Sequence, residues 1–236
     1  MSSDAEWAPE SPPSYNRYPD DANDTWQPTI FVLNKKSIHA ESADSPPLYK
    51  LSVGCSEFGL TQAVTSQVEL ELKRLERTAL TSKTTGETTI STRQRHIYNL
   101  NQIKDACGGL DTPLYFIQAT TSEFTLGDIG LKKLSSLYLR GWKALPVEVS
   151  GNLRPSFKDG SPLFNISQRG DDGRRYEWAD AVGKPIAVQE VEGEDQHRLV
   201  VTVTLQRELM DALIALWCCR VWQSSFERAA RVYQGP

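Results

Sequence analysis

The side chains best suited to chemistry, three histidines and four cysteines, are dispersed along the sequence. His39, His96 and His197 lie at least 57 residues apart, and none has a carboxylate or thiolate beside it at the spacing of metal ligands. The cysteines are Cys55, Cys107, Cys218 and Cys219. They contain no C-x-x-C pair, so neither a disulfide framework nor a structural zinc site is expected. We therefore predict no metal and no cofactor.

The motifs that position a catalytic nucleophile or a nucleotide are also missing. The sequence has no G-x-S-x-G elbow, no Gly-rich phosphate loop and no H-E-x-x-H. His96 and His197 remain candidates to meet in space with an Asp or Glu as acid and base. However, His197 opens an apolar run, which is typical of a strand-end histidine that bonds a loop carbonyl. We expect no catalytic residue and a non-enzymatic protein.

Short clusters of basic residues are the remaining chemical feature, and their chemistry suits anionic groups. Phosphate recognition needs several Lys or Arg side chains on one surface, together with hydrogen-bond donors. Two clusters beside predicted strands rank first: Arg93, Arg95 and His96, and the pair Lys132 and Lys133. Further candidates are Lys35, Lys36, Lys73, Arg74, Arg77, Arg174 and Arg175. The alternative for each is the solvated face of a strand or turn.

The length and composition of the chain fit one domain of generous size, which must position these residues. The chain has 236 residues, of which 39% are hydrophobic and 24% charged. Its 26 Lys and Arg against 30 Asp and Glu give a formal charge of −4. Because no overall basic charge exists, no nucleic-acid partner is expected.

Residues 1–27 are predicted to form a disordered, acidic, proline-rich leader. They carry six acids and one base and almost no aliphatic side chains, so they cannot bury enough apolar surface to offset chain entropy. Trp7, Tyr15, Tyr18 and Trp26 offer contact points for a protein partner. A signal peptide would need a basic start and an apolar stretch, so we expect an intracellular, cytoplasmic protein.

Residues 28–226 are predicted to form one mainly β domain. About a dozen short β-like runs follow one another, separated by turn signals such as Thr85-Gly86 and Val182-Gly183. Further turn signals are Gly108-Gly109, Asp159-Gly160 and Asp172-Gly173. The predicted runs are 29–33, 37–41, 47–53, 68–73, 95–100, 113–119, 123–127, 141–145, 147–149, 162–167, 175–179, 185–189 and 198–205. Residues 72–77 also allow a helix. Many short strands at this spacing indicate an antiparallel sandwich or barrel.

The run from Leu209 to Trp222 has twelve apolar residues in fourteen and predicts a helix over 206–222. A helix that is apolar on all sides must be buried on all sides. Fourteen residues span roughly 21 Å, less than the ~30 Å of a bilayer core, so no transmembrane span is expected. We predict that the helix fills a closed barrel of about twelve strands. Its core residues are Leu209, Leu213, Leu216, Trp217 and Val221. Asp211 and Arg220 suit the helix dipole, and residues 227–236 are predicted to form a short tail.

This combination resembles the tubby C-terminal-like superfamily, which includes tubby domains, phospholipid scramblases and LURP-one-related proteins, and it looks like small fungal proteins of this type. The residues that carry the resemblance are Phe31–Leu33, Ser37–Glu41, Leu48–Leu51, Gly127–Lys133, Tyr176–Trp178 and the helix Met210–Trp222. The resemblance covers residues 29–226 and implies functions at membranes. Tubby domains bind phosphoinositide headgroups, and scramblases move lipid.

Two functions remain open. The first is peripheral binding of anionic lipid headgroups through the basic clusters on the barrel. The second is a protein-interaction or scaffold domain without lipid binding, with the leader as one contact. Lipid translocation is not expected, because the cysteine-rich and calcium-binding segments of the scramblases have no counterpart here. Cys218 and Cys219 lie inside the apolar helix and are interpreted as packed small side chains.

Overall fold

The computed structural model describes residues 25–54, 67–81, 86–103, 111–134, 141–149, 154–170, 174–192 and 196–234. Most of the predicted leader and the turns Gly108-Gly109 and Asp172-Gly173 lie outside these ranges. The strands are β1 Thr25–Trp26, β2 Thr29–Asn34, β3 Ser37–Ala40, β4 Pro47–Leu51, β5 Gln67–Thr81, β6 Thr88–Ile103, β7 Tyr115–Ala119, β8 Ile129–Lys133, β9 Gly141–Glu148, β10 Ser156–Phe157, β11 Phe164–Arg169, β12 Arg175–Ala179, β13 Pro185–Glu192, β14 Gln196–Val201 and β15 Leu205–Gln206. The helix α1 is Arg207–Gln234.

Twelve of these strands form a closed antiparallel barrel. β2 to β9 pair in sequence order, β9 continues to β11, and β11 to β14 pair in sequence order. The ladder between β14 and β2 closes the barrel, with Leu199 opposite Phe31. Closure removes the unpaired edges that an open sheet of this size would leave. β10 adds to the end of β9, and β1 pairs with β15.

The barrel encloses α1, as predicted. Leu213, Leu216 and Trp217 are 0% exposed. Their neighbours are apolar side chains of the inner barrel face, such as Leu70 and Leu100, which the alternation along each strand turns inward. Val221 is also buried, and Leu209 packs against the core while remaining half-buried. The helix replaces the layer of side chains that fills a smaller barrel.

The predicted end of the helix at residue 222 is wrong, because α1 continues to Gln234. The prediction followed the apolar run, which stops at Trp222. A helix, however, continues until residues that disfavour helical backbone, such as Gly or Pro, are reached. Residues 223–234 contain no Gly or Pro, and Gly235 and Pro236 come next. The helix is buried as far as Gln223, and Phe226 is 41% exposed, so the last turns emerge from the barrel.

Several strands differ from the predicted runs. Residues 123–127 form no strand, because the Thr125 hydroxyl donates to the Thr121 carbonyl and the Leu126 amide to the Tyr98 hydroxyl. The predicted runs 141–145 and 147–149 are one strand, β9. Residues 72–77, where a helix was the alternative, belong to β5. Within the predicted leader, Thr25–Trp26 form β1, and Trp26 packs on Phe31 with ring centroids 6.1 Å apart.

β5 and β6 are far longer than their neighbours. β4 pairs with β5 only at Leu72–Arg74, and β7 pairs with β6 only at Tyr98–Gln102. Residues 75–81 and 88–94 therefore continue past the barrel wall as a two-stranded extension, which we call the β5–β6 ribbon. We call the end of the barrel that bears this ribbon the hairpin end and the opposite end the far end.

No helix among the described residues combines the length and the apolar character needed to cross a membrane.

Candidate functional site

The structure separates the two predicted basic clusters. Arg93, Arg95 and His96 lie on β6 at the hairpin end, whereas Lys132 and Lys133 lie at the far end of β8. Through the registers β6–β7 and β7–β8, Gly130 lies level with Asn101, so Lys132 is about eight residues, or roughly 26 Å, from Arg95 along the wall. The two clusters cannot contact one phosphate group together.

Arg95 is committed to the protein itself. Its Nε lies 3.0 Å from Glu76 Oε1, and its guanidinium lies 4.5 Å from the ring centroid of Phe124. Its side chain is 15% exposed. Arg93 is exposed on the ribbon opposite Glu76, and His96 is half-buried opposite Lys73. Because the Glu76 carboxylate is paired with Arg95, Arg93 is the cation that this cluster exposes to solvent.

Glu76 belongs to a buried ionic network that joins the barrel wall to α1. Arg74 donates from Nη2 to Glu76 Oε1 at 2.7 Å and from Nη1 to Asp211 Oδ2 at 2.5 Å. Tyr49 donates its hydroxyl proton to Asp211 Oδ1 at 2.8 Å. Asp211 is 0% exposed and Arg74 4%. The network anchors the first turns of the helix and is a structural feature of the hairpin end.

Burial and charge pull the pKa values of this network in opposite directions. Burial raises the pKa of Asp211, although Arg74 and the Tyr49 hydroxyl oppose the shift. Burial alone would lower the pKa of Arg74, but the carboxylates of Asp211 and Glu76 outweigh it and the pKa rises. Arg74 therefore stays a cation, and breaking the pair would leave a charge buried in the barrel.

The far end carries the more open basic surface. Lys132 and Lys143 lie directly opposite each other on β8 and β9, and exposed Lys133 follows at the end of β8. We call these three residues the lysine patch. Lys132 Nζ lies 3.5 Å from Asp111 Oδ1 and 5.3 Å from the Phe157 ring centroid. Among the described residues, no carboxylate lies within ion-pair distance of Lys143 or Lys133. Like charges in direct cross-strand opposition destabilise a sheet unless an anion lies between them.

Sequence reasoning found two of these lysines and missed Lys143, which lies in a different β-like run. The signal that links them is the β8–β9 pairing, in which Lys132 faces Lys143 and Leu131 faces Ala144. Both Leu131 and Ala144 are buried, so Lys132 and Lys143 share the opposite, outer face of the wall. The apolar residues of the two runs thus fix the register, but only once the two runs are known to pair.

Beneath the lysine patch, the barrel holds the cation Arg220. Its guanidinium lies 3.4 Å from the ring centroid of Trp142 and 4.9 Å from that of Tyr176. Nη1 donates to Gln223 Oε1 at 2.7 Å, and Gln223 Nε2 donates to Glu227 Oε1 at 3.0 Å. Burial lowers the pKa of Arg220 to about 10, so it remains charged at neutral pH. Aromatic faces stabilise this buried cation, where the sequence suggested only the helix dipole.

The candidates for acid–base chemistry do not meet. His96 and His197 lie on β6 and β14, which are five strands apart in the barrel with α1 between them. Cys218 and Cys219 are buried, reduced cysteines within α1. Among the described residues, no group of three His, Cys, Asp or Glu side chains is arranged to hold a metal ion. The lysine patch is the best-formed candidate site in this part of the chain.

Comparison with known proteins found no family model that matches the sequence and no curated protein that matches it.

Proposed function

We propose that the protein is a non-enzymatic, tubby-like module whose lysine patch binds anionic lipid headgroups of the phosphoinositide class. The observation that carries the proposal is the direct opposition of Lys132 and Lys143 on the outer wall of the barrel. Two ammonium groups on facing strands are close enough to bind one phosphate from both sides. Lys133 adds a third cation at the rim, toward which a membrane surface would lie.

The buried charge of Arg220 supports this assignment. Among the described residues, no carboxylate lies within 4 Å of its guanidinium, and Trp142, on which it stacks, neighbours Lys143 along β9. A cation buried inside the barrel is poorly screened by solvent, so its field adds to that of the lysines above it. Asp111 would compete with a phosphate for Lys132. Its side chain is 85% exposed, and its contact with Lys132 at 3.5 Å is long. An exposed ion pair of this kind is worth little and is readily exchanged for a phosphate.

The test is co-sedimentation of the full-length protein with vesicles. Neutral phosphatidylcholine vesicles are compared with vesicles that also contain phosphatidylinositol phosphates or phosphatidylserine, at low and physiological salt. We expect headgroup-dependent binding that salt weakens, since each surface cation contributes about 1 kcal/mol near an anionic leaflet. Lys132→Glu and Lys143→Glu should each weaken binding at least about fivefold.

Lys184→Glu is the matched control. It makes the same change of charge at an exposed lysine of the hairpin end, away from the lysine patch. It should leave binding nearly unchanged. The proposal fails if the native protein does not sediment with anionic vesicles, or if the Lys184 variant loses as much binding as the other two. Failure would favour the scaffold function, in which the barrel holds a protein partner and no lipid.

The leader offers one test of that scaffold function. Trp26, one of its four aromatic residues, packs on the barrel and lies 6.0 Å from the Arg207 guanidinium, so it belongs to the domain. The other three, Trp7, Tyr15 and Tyr18, lie outside the described residues. A partner bound through them should be lost when residues 1–24 are deleted and retained in the Lys132 variant.

A further inference from the structure

The β5–β6 ribbon has two long strand edges. Within the described chain, residues 75–81 and 88–94 pair with each other and with no other strand. Such edges present rows of backbone donors and acceptors that can pair with another strand. Seven residues on each edge equal a typical strand in length.

The two edges differ in how they are covered. On the β5 side, Arg77 donates to the Pro47 carbonyl at 3.1 Å, and Glu76 is bound by Arg74 and Arg95. Neither edge contains Pro or Lys, the residues that usually protect an edge. Residues 75–81 carry two charges, Glu76 and Arg77, whereas Thr88–Gln94 carries one, Arg93. Five of its seven residues are Thr, Ile or Ser, and Ile90 is 71% exposed. The β6 edge is therefore the better template for pairing.

We propose that two copies of this chain pair through their β6 edges, antiparallel, about a two-fold axis at Ile90. In this register Ile90 faces Ile90 of the second copy, Thr88 faces Thr92, and Glu87 faces Arg93. The arrangement buries the exposed isoleucine against its own copy and places opposite charges together twice, once on each side of the axis. The two ribbons then form one four-stranded sheet that links the hairpin ends of two barrels.

Charge complementarity is what favours a second copy over an unrelated strand. Arg93 has no ion-pair partner among the described residues, although Glu76 is its cross-strand neighbour, because Glu76 is bound to Arg74 and Arg95. Self-pairing at Ile90 brings the Glu87 carboxylate to it without placing any like charges face to face. β-branched and hydroxyl side chains occupy the positions between, and these suit a cross-strand interface.

The experiment is sedimentation velocity of the full-length protein over a wide range of concentrations. We expect a concentration-dependent equilibrium between monomer and dimer. Arg93→Glu and Glu87→Arg each place like charges opposite each other twice and should weaken dimerisation on the order of tenfold. The double variant Glu87→Arg with Arg93→Glu restores the opposite charges and should restore the dimer.

Ile90→Lys supplies a second, independent test, since it places two ammonium groups on the axis and should also yield monomers. Val182→Lys is its control: Val182 is 89% exposed in the β12–β13 turn, so the same change in hydrophobicity and charge should leave the dimer intact. A monomer at every concentration overturns the proposal, as does a dimer that Arg93→Glu and Ile90→Lys both leave unchanged. Failure of the double variant to recover the dimer excludes this register. None of these variants alters the lysine patch, so lipid binding and dimerisation fail or succeed separately.

Discussion

At the scale of single residues, the two charges inside the helix are stabilised in different ways. Asp211 is paired with Arg74 and Tyr49, whereas Arg220 lies against Trp142 and Tyr176. The partners of Asp211 are 137 and 162 residues away in the sequence. A local pattern shows that a charge interrupts an apolar run, but it cannot show what the charge meets across the barrel. For this reason the sequence suggested only the helix dipole.

The Asp211–Arg74 pair gives a prediction about stability. Asp211→Ala should lower the free energy of unfolding by about 3 kcal/mol, because the buried charge of Arg74 then loses one of its two carboxylate partners and keeps Glu76. Arg74→Met should also destabilise, and the double variant should lose clearly less than the sum of the two, since neither charge is then left alone. Chemical denaturation at neutral pH measures all three.

Asp159→Ala, at an exposed position between β10 and β11, is the control and should change stability by no more than about 0.5 kcal/mol. Strictly additive losses for Asp211 and Arg74 would mean that the pair does not interact energetically. In that case the side chains at the hairpin end would stabilise the helix by packing and not through the ion pair.

At the scale of elements, the barrel with its enclosed helix was accessible to sequence reasoning. Period-two alternation and turn residues mark most strands, and a helix that is apolar on every side has to be enclosed. The features that the sequence did not predict depend on pairing with strands elsewhere in the sequence. β1 and β10 have two residues each and exist only because β15 and β9 pair with them. The grouping of Lys132 with Lys143 likewise requires the β8–β9 register.

The enclosed part of α1 should be essential for folding. Leu216→Asp places an unpaired carboxylate where the side chain is 0% exposed, and we expect it to abolish the folded state. Truncation before residue 209 should have the same effect, because the barrel loses its filling. Phe226→Asp is the matched control on the same helix: Phe226 is 41% exposed beyond the barrel, so this variant should fold. Far-UV circular dichroism with a thermal melt distinguishes the outcomes. A cooperatively folded protein that lacks residues 209–236 would refute the enclosed-helix interpretation.

At the scale of the whole molecule, closure makes the fold depend on contacts between distant parts of the chain. β2 and β14 complete the barrel from opposite ends of the described sequence, with Thr29 opposite Val201. α1 lies inside the wall that this ladder closes, so the ladder and the buried turns of the helix belong to one core. Folds dominated by such distant pairings fold slowly, because loop closure must precede the contacts that stabilise it.

This dependence predicts a pattern of amide hydrogen exchange. Amides of α1 from Met210 to Trp222 and those of the β14–β2 ladder should exchange together, through global unfolding, because neither can open alone. Amides of the β5–β6 ribbon should exchange far faster at concentrations low enough to keep the protein monomeric, since only one ladder protects them. Exchange of α1 before the β14–β2 ladder would mean that the helix leaves a barrel that stays closed. In that case α1 could leave the interior while the barrel wall stays paired. The central cavity, rather than the outer wall, would then become the place to search for a ligand.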